Sequence, residues 1–324
     1  MTEAGTARPL DRDAQFYVAG HRGLVGGAIW RALEDSGYTS LVGRTSAELD
    51  LRDRGAVFDF MGEARPQYVV LAAAKVGGIL ANNTYPVDFL SENLRIQTNV
   101  MDAALECGTE RLLFLGSSCI YPKLAPQPIR EDSLLTGHLE PTNDAYAIAK
   151  IAGILGVQSV RRQYGLPWIS AMPTNLYGPG DNFSPIGSHV LPALIRRYDE
   201  AKAAGDPSVT NWGSGAPRRE FLHVDDMAAA CLYLLEHYDG PEQVNVGTGR
   251  DATIKEIAQL VAEVVGYEGE TLWDTSKPDG TPQKLLDVSK LREIGWEAQI
   301  GLRDGLESTV AWYREHVGRL RETG

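Results

Sequence analysis

A tyrosine and a lysine four positions apart are the first residues in this sequence whose types and spacing could do chemistry. Tyr146 and Lys150 stand in YAIAK, within a stretch of helical periodicity, so both project from one face of a helix. An ammonium close to a phenol favours the phenolate and lowers a pKa that is ordinarily about 10. The pair therefore predicts that Tyr146 donates a proton to a developing alkoxide.

Hydroxyl and thiol groups precede this pair by one strand–loop–helix step. Ser117, Ser118 and Cys119 directly follow the apolar run 111–115, at the predicted end of a strand. A Y-x-x-x-K pair by itself is common in proteins. Its position here, where a strand end carries hydroxyls into the same cleft, is what indicates a catalytic site.

A glycine-rich segment follows the first predicted strand and begins a helix. Its residues are Gly20, His21, Arg22, Gly23, Leu24, Val25 and Gly26. In such a loop the first glycine permits a tight turn, the second lets the backbone approach a pyrophosphate, and the third allows close helix packing. Because the helix N-terminus offers free N–H groups to an anion, the segment predicts a dinucleotide site.

The end of the second predicted strand, 41–43, indicates which dinucleotide. NAD-binding proteins usually place an acidic residue there to bind the ribose 2′-hydroxyl, whereas this strand is followed by Arg44. Arg44 and Arg22 would instead bind a 2′-phosphate, which predicts NADPH. The alternative is that both are solvated surface arginines.

Short apolar runs alternate with helix-like segments over the first half of the chain. The runs are 15–19, 41–43, 68–72, 111–115 and 168–172, and the helical segments are 24–36, 87–106 and 143–164. This alternation predicts an α/β fold, a Rossmann-type doubly wound parallel sheet with right-handed crossovers. Ligands bind such sheets at the carboxyl ends of the strands.

The alternation stops after residue 176, in a region rich in Gly, Pro and Asn. A helix at 224–237 and a strand at 243–246 are expected to return to the main sheet. We expect an NADP-binding Rossmann domain of residues 14–176 plus 221–249. A smaller mixed α/β substrate lobe would comprise 177–220 plus 250–318, and residues 1–13 would be a flexible tail.

Composition excludes several classes of partner. The 324 residues carry a formal net charge of −12, which argues against nucleic acid and anionic membranes. The polar N-terminal segment and the lack of a long apolar run predict a cytoplasmic protein. The three cysteines have no C-x-x-C spacing, so neither a disulfide framework nor a metal site is expected.

Longer motifs add a resemblance that spans nearly the whole chain. With LGSSCIYPK, EPTNDAYAIAKIAG, MPTNLYGPGDNF, REFLHVDDMA, NVGTG and KPDGTPQKLLD, the chain resembles the extended short-chain dehydrogenase/reductase family. It is most similar to members that act as 3,5-epimerases and 4-reductases on GDP-4-keto-6-deoxy-D-mannose. The resemblance implies NADPH as cofactor, a GDP-sugar substrate and a homodimer.

The resemblance also implies roles for individual residues. Ser117, Tyr146 and Lys150 match the catalytic triad, and Cys119 and His189 match the epimerisation pair. The cofactor site would further include Leu115, Gly116, Ser117, Ser118, Lys150, Pro173, Thr174, Asn175, Leu176 and His189. The residues at positions that bind the substrate are Arg197, Trp212, Arg219, Asp279 and Lys284.

The chemistry of a 4-keto sugar explains why a thiol and an imidazole would be needed. Its C3 and C5 protons are acidic because loss of either gives an enolate. Inversion requires removal of a proton from one face and its return from the other, hence two acid/base groups such as Cys119 and His189. Ser117 and Tyr146 would stabilise the oxygen at C4, and hydride transfer to C4 would follow. Which member of the pair is the base is left open.

Several residues have structural alternatives. Cys119 could be a small packing residue, and His189 a helix cap or a surface residue. Trp212 is either a core residue of the smaller lobe or a platform for a nucleobase. His223 is expected to be structural, and one of Arg218 and Arg219 should point inward because adjacent strand residues face opposite ways.

Two rival functions remain. A single-function nucleotide-sugar 4-epimerase or 4-reductase would not need both Cys119 and His189. A non-catalytic NADP-binding regulator would keep the glycine loop but has no reason to keep Ser117, Tyr146 and Lys150 together.

Overall fold

The computed structural model describes residues 9–185, 187–277 and 279–322. The strands are β1 (Phe16–Ala19), β2 (Leu41–Val42), β3 (Tyr68–Leu71), β4 (Arg111–Leu115), β5 (Ile169–Pro173), β6 (Asn175–Tyr177), β7 (Ser208–Trp212), β8 (Arg218–His223), β9 (Val244–Val246), β10 (Asp251–Thr253), β11 (Glu270–Asp274) and β12 (Gln283–Lys284). The helices are α1 (Leu24–Asp35), α2 (Arg54–Ala64), α3 (Ile79–Thr84), α4 (Pro86–Cys107), α5 (Asp144–Tyr164), α6 (Val190–Ala204), α7 (Val224–His237), α8 (Ile254–Val265), α9 (Ser289–Ile294) and α10 (Leu302–Glu322). Single 3₁₀ turns cover Ser118–Ile120 and Glu131–Ser133.

The main sheet has six parallel strands in the order β2-β1-β3-β4-β5-β9. Every residue of β1, β3, β4 and β5 is buried, because helices cover both faces of the sheet. Helix α1 packs against α7, and α4 packs against α5. The predicted strand at 243–246 returns to this sheet as β9. The prediction of a Rossmann-type doubly wound sheet is confirmed.

The strand register brings the carboxyl ends of the main sheet to one edge. Paired residues near these ends are Ala19 with Leu71, Leu71 with Phe114, Leu115 with Ala171, and Pro173 with Val246. The loops that begin at Gly20, Gly116 and Gly247 therefore leave the sheet at the same edge. Ligand binding is expected at this edge.

Two smaller sheets lie beyond the main one. Strand β8 pairs with β6 and β12 in parallel and with β10 antiparallel, while β7 pairs with β11 in parallel. A second apolar cluster, which includes Tyr198, Val261 and Tyr313, brings together α6, α8 and α10. Leu286 and Leu291 pack instead into the larger cluster of the main sheet. The exact division into two lobes stays a prediction.

The N-terminal segment was expected to be a flexible tail over residues 1–13. Residues 1–8 lie outside the described residues. Leu10 is buried, and the Asp11 backbone N–H donates a hydrogen bond to the Tyr68 hydroxyl at 3.1 Å. The described part of this segment is therefore packed on the protein.

Within residues 9–185, 187–277 and 279–322, no helix is both long and apolar enough to cross a membrane.

Candidate active site

The glycine loop between β1 and α1 has the geometry that its spacing predicts. Gly20 has φ +87°, and a Cβ there would lie 2.9 Å from the backbone nitrogen of Ala73. A Cβ on Gly26 would lie 2.1 Å from the Gly20 carbonyl oxygen, so only glycine permits this packing. At Gly23, the N-cap of α1, no side chain caps the helix, which leaves its first N–H groups available to an anion. The loop fits a pyrophosphate.

Arg22 and Arg44 lie beside this loop and are exposed. The Arg44 guanidinium lies 5.1 Å from the centroid of the Phe60 ring and donates a hydrogen bond to the Gly43 carbonyl at 3.0 Å. In the part of the chain that the structure describes, neither arginine forms an ion pair with a carboxylate. Both cations are thus available near the loop.

His21 packs between the loop and the end of β2. Its ring lies 5.3 Å from the Trp30 ring, and a Cβ on Gly43 would lie 2.6 Å from it. Its Nδ1 is buried without a hydrogen-bond partner among the described residues. Burial and the charge of Arg22 lower the pKa of His21, so a neutral ring holds the backbone next to Arg44 in place.

The residues that are expected to be catalytic come together where α5 crosses the end of β4. Lys150 donates a hydrogen bond through Nζ to the Leu115 carbonyl at 2.8 Å, which ties the helix to the strand. Ser117 Oγ accepts a hydrogen bond from the Cys119 backbone N–H at 3.2 Å. Tyr146, one turn before Lys150, lies close enough to Ser117 and Cys119 for both to affect its pKa.

The expected effect of Lys150 on Tyr146 is wrong. Burial raises the pKa of the Tyr146 phenol, the Cys119 charge raises it further, and only a hydrogen bond from Ser117 acts the other way. Burial also lowers the pKa of Lys150 to about 7. Desolvation of both groups outweighs their attraction, since Nζ lies 5.8 Å from the Tyr146 ring centroid. The phenol therefore keeps its proton, as a proton donor must.

Cys119 has a polar environment that a packing residue would not need. Burial raises the pKa of its thiol, but the Lys284 charge and hydrogen bonds from Ser117, Lys284 and Asn143 outweigh burial and lower it overall. Lys284 Nζ donates a hydrogen bond to Sγ at 3.4 Å. By contrast, Cys231 is packed in the core, where burial alone raises the pKa of its thiol.

Lys284 and Asn143 lie beside the thiol. Lys284 was expected to bind substrate; its ammonium lies against the Cys119 thiol, and its contact with substrate stays a prediction. Asn143, at the N-cap of α5, was not singled out. Its signal was its place directly before the helix that carries Tyr146.

His189 comes from a separate segment, at the N-cap of α6. Its side chain makes no capping hydrogen bond, so the cap alternative is wrong. The residue as a whole is exposed. Neighbouring atoms nevertheless shield its ring from water, and this desolvation lowers the pKa of the imidazole. No hydrogen bond between described residues joins it to Cys119. Its role in epimerisation stays a prediction.

Three of the predicted substrate residues, Arg197, Trp212 and Asp279, lie around β7 and the loop after it. Arg197 donates a hydrogen bond to Asn211 Oδ1 at 2.5 Å, next to Trp212. Asp279 accepts hydrogen bonds from the Ser214 backbone N–H at 2.9 Å and from its hydroxyl at 2.6 Å.

Trp212 is 71% exposed, so the core alternative is wrong. Lys277 Nζ lies 5.7 Å from the centroid of its ring. An exposed indole suits a stacking platform.

Adjacent arginines on β8 face opposite ways, as expected for a strand. Arg218 pairs with Asp251 at 2.8 Å. Arg219 is half-buried, burial lowers its pKa, and it donates a hydrogen bond to the Arg218 carbonyl at 2.8 Å. Among the described residues it has no carboxylate partner, so it is available to an anionic ligand.

Glu220 is a buried carboxylate that sequence reasoning missed. It accepts hydrogen bonds from the backbone N–H groups of Thr248 at 2.6 Å, Gly249 at 2.7 Å and Leu286 at 3.0 Å. Its backbone carbonyl accepts a hydrogen bond from Asn175 Nδ2 at 2.8 Å. The signal was an acidic residue directly before the apolar pair Phe221 and Leu222 of β8.

His223 is structural, as expected. It is buried, its Nδ1 accepts a hydrogen bond from the Asp225 backbone N–H at 3.3 Å, and its Nε2 lies 3.3 Å from the Ser308 hydroxyl. The described residues contain no group of three or more His, Cys, Asp or Glu side chains that could hold a metal ion.

Comparison with known proteins identifies the family. Residues 16–247 match the model of the NAD dependent epimerase/dehydratase family. The chain belongs to this family. It is 60% identical over 307 residues to GDP-L-fucose synthase 1 of Arabidopsis thaliana, with 95% of each chain covered. It is 56% identical over 316 residues to GDP-L-fucose synthase of Escherichia coli K12, with 95% of this chain and 98% of the relative covered.

A solved structure of another member of the NAD dependent epimerase/dehydratase fold is also similar. The GDP-L-fucose synthetase of Naegleria fowleri bound to NADP superposes with a TM-score of 0.90 at 28% identity. The match covers 97% of this chain and 96% of that one.

The buried Lys150 predicts how stability depends on pH. Its folded-state pKa of about 7 lies below the ordinary 10.5, so between these values the unfolded chain binds the extra proton. Stability must rise with pH across this window. Between about pH 6.5 and about pH 9.5, the unfolding free energy of the cofactor-free protein should rise by up to about 3 kcal/mol more than that of Lys150→Met.

Urea denaturation at both pH values measures this difference. The control Lys255→Met removes an exposed ammonium and should keep the pH dependence of the unmodified protein. An identical pH dependence in Lys150→Met would show that burial does not perturb Lys150.

Proposed function

We propose that this chain is a bifunctional, NADPH-dependent GDP-L-fucose synthase. It would convert GDP-4-keto-6-deoxy-D-mannose to GDP-L-fucose by 3,5-epimerisation and then reduction of the 4-keto group. The observation that carries this proposal is the cluster of Ser117, Cys119 and Tyr146, in which a thiol of lowered pKa adjoins two hydroxyl groups. Identities of 60% and 56% to GDP-L-fucose synthases support the choice of sugar and nucleotide.

Epimerisation uses the thiol and the hydroxyls together. Ser117 and Tyr146 donate hydrogen bonds to the oxygen at C4 and stabilise the enolate that forms when C3 or C5 loses a proton. Cys119 and His189 exchange protons with these carbons from opposite faces of the ring. Their location on separate segments, one after β4 and one before α6, supports such an arrangement.

Reduction uses the same oxygen site. NADPH, when bound, supplies hydride to C4. Tyr146 then gives its proton to the oxygen, and the raised pKa of the phenol ensures that this proton is present. Lys150 holds α5 on β4 through its hydrogen bond to Leu115 and so sets the position of Tyr146.

The nucleotide end of the substrate would lie at the rim formed by β7 and β8. Exposed Trp212 offers a stacking surface for the base. Arg219, half-buried and without a carboxylate partner in the described chain, offers charge to the diphosphate, with Arg197 nearby on α6.

The rival functions fit less well. A single-function 4-epimerase or 4-reductase has no use for a thiol of lowered pKa beside the oxygen site. A non-catalytic NADP-binding regulator has no use for the Ser117–Tyr146–Lys150 cluster.

Two further proposals concern the setting of the enzyme. We place it in the cytoplasm, where its three free cysteines remain reduced. We also propose a homodimer in which α5 meets the same helix of a second copy. Ile148 and Leu155, seven positions apart on α5, share one face and are 45% and 42% exposed, which supports this interface.

Cys119→Ser and His189→Asn test the epimerase assignment. Each substitution should lower the rate at which the doubly inverted product forms by about 10²–10⁴-fold, because a group that transfers a proton is lost. Reduction should persist and give a 4-hydroxy sugar with C3 or C5 uninverted. Solvent deuterium uptake at C3 and C5, followed by product stereochemistry, measures the effect. Cys107→Ser, a thiol outside the cluster, is the control.

Near-normal formation of the doubly inverted product in both variants would make the protein a plain 4-reductase.

Arg44→Ala tests the choice of cofactor. The preference for NADPH over NADH, measured as a ratio of kcat/KM values, should fall by about ten- to a hundredfold, since a charge-assisted contact contributes about 1.5–3 kcal/mol. Arg54→Ala is a matched control, because its guanidinium lies 4.1 Å from the Phe58 ring centroid but pairs with Asp102. Equal efficiency of the unmodified protein with both cofactors would refute the NADPH preference.

A double variant, Ile148→Glu with Leu155→Glu, tests the dimer. Two carboxylates on the shared face of α5 should convert a dimer to monomers, as measured by light scattering after size-exclusion chromatography. Leu272→Glu changes a residue that is 40% exposed on β11 and should leave the dimer intact. A monomeric unmodified protein would rule out this interface.

A further inference from the structure

We propose that Lys284 is a positioning residue that holds Cys119 as a thiolate, through an ion pair between its ammonium and the sulfur. The inference rests on the proposed function, because it gives the thiolate a part in proton transfer at the sugar ring. It assigns Lys284 a partner within the protein in place of the substrate.

The contact between Lys284 and Cys119 is direct, and no carboxylate of the described residues pairs with Lys284. Lys284 Nζ lies 3.4 Å from Cys119 Sγ, although the two residues are 165 positions apart. Within the described residues, Lys284 forms no ion pair with any carboxylate. The Lys284 ammonium donates its side-chain hydrogen bond to the Cys119 sulfur.

Hydrogen bonds fix the backbone of the two residues that follow Lys284. The Leu285 N–H donates a hydrogen bond to Gln127 Oε1 at 2.8 Å, and the Leu286 N–H donates to Glu220 at 3.0 Å. In β12, Lys284 pairs with Arg219 of β8. A lysine on a free loop could leave the sulfur, whereas here the main chain keeps the ammonium close to it.

The groups that face Cys119 come from three elements. Ser117 lies in the turn after β4, Asn143 and Tyr146 belong to the start of α5, and Lys284 lies on β12. Among these Lys284 is the cation, and Ser117, Asn143 and Tyr146 are neutral polar groups. No carboxylate faces the sulfur from these elements, so the surroundings favour a negative sulfur.

The thiolate form defines the step. Cys119 S⁻ takes a proton from a carbon next to the C4 carbonyl, and an S–H bond forms as the C–H bond breaks. The C–H electron pair moves into the enolate, whose oxygen accepts hydrogen bonds from Ser117 and Tyr146. Lys284 keeps its proton throughout, so the negative charge passes from sulfur to the enolate beside an unchanged cation. Return of a proton from the protonated ring of His189 to the opposite face of the carbon completes the inversion. Loss of the S–H proton to water and uptake of a proton by His189 restore the starting state.

Lys284→Met, compared with Lys284→Arg, tests the ion pair without substrate. In the full-length protein, the ultraviolet absorbance of the thiolate as a function of pH and the rate of Cys119 alkylation by iodoacetamide report the thiolate fraction. Cys119→Ser supplies the blank for the other two thiols. In Lys284→Met the alkylation rate near neutral pH should fall by about tenfold or more, and Lys284→Arg should restore most of it.

Lys123→Met is the matched control. Lys123 lies four residues after Cys119 but pairs with Glu140 at 2.9 Å, so its loss should leave the thiol titration unchanged. With the GDP-linked 4-keto sugar, Lys284→Met should lower the kcat of deuterium uptake and shift its pH profile upward, with little change in KM.

An unchanged thiol titration in Lys284→Met would overturn the inference. So would a raised KM with a normal thiol, because Lys284 would then be a substrate ligand. A shifted thiol titration in a protein that exchanges no deuterium at C3 or C5 would support the ion pair and reject the proposed function. The two failures are therefore distinguishable.

Discussion

The carboxylate of Glu220 lies where the main sheet, the β8 sheet and the segment after β12 meet. A buried carboxylate is costly unless its oxygens are bonded, and this one binds backbone N–H groups from the loop after β9 and from Leu286. Burial raises its pKa, which shows how fully it has left water. These hydrogen bonds hold the loop after β9 and the segment after β12 against β8. They therefore help to position Arg219 and Lys284 relative to the end of β4. The distances within the site therefore depend on a residue that need not touch the substrate.

The parts of the fold that follow from local chemistry could be predicted from the sequence. Gly26 must be glycine because a Cβ there would meet the Gly20 carbonyl six residues earlier, and Gly20 has the positive φ of a tight turn; both appear in the structure as the spacing indicated. The strands of the main sheet are short apolar runs that alternate with helices. Because crossover connections between parallel strands are right-handed, this alternation is compatible with only a few sheet topologies. The pairings of β8 with β6 and β12, and of β7 with β11, join distant segments two to six residues long, and no local pattern marks them.

The electrostatics of the site were beyond the sequence for a different reason. Spacing places Tyr146 and Lys150 on one helical face, but it does not tell how deeply either group is buried. Burial is set by β4 and by the chain around it, and it reverses the expected direction for the phenol. Likewise, the motif that contains Lys284 suggested a ligand contact, whereas its partner lies 165 positions away. The sequence therefore identified the residues of the site. Their protonation states depend on how deeply the fold buries them, which the sequence does not reveal.

The match to the wider family ends at residue 247, and this boundary divides the chemistry of the molecule. Ser117, Tyr146 and Lys150 lie inside the shared segment, whereas Lys284 lies beyond it on a strand of two residues. The Ser117–Tyr146–Lys150 cluster and the lysine that we propose as the partner of the thiolate thus lie on different stretches of the chain. On our proposal, a substitution in this short strand alters epimerisation and leaves the Ser117–Tyr146–Lys150 cluster unchanged.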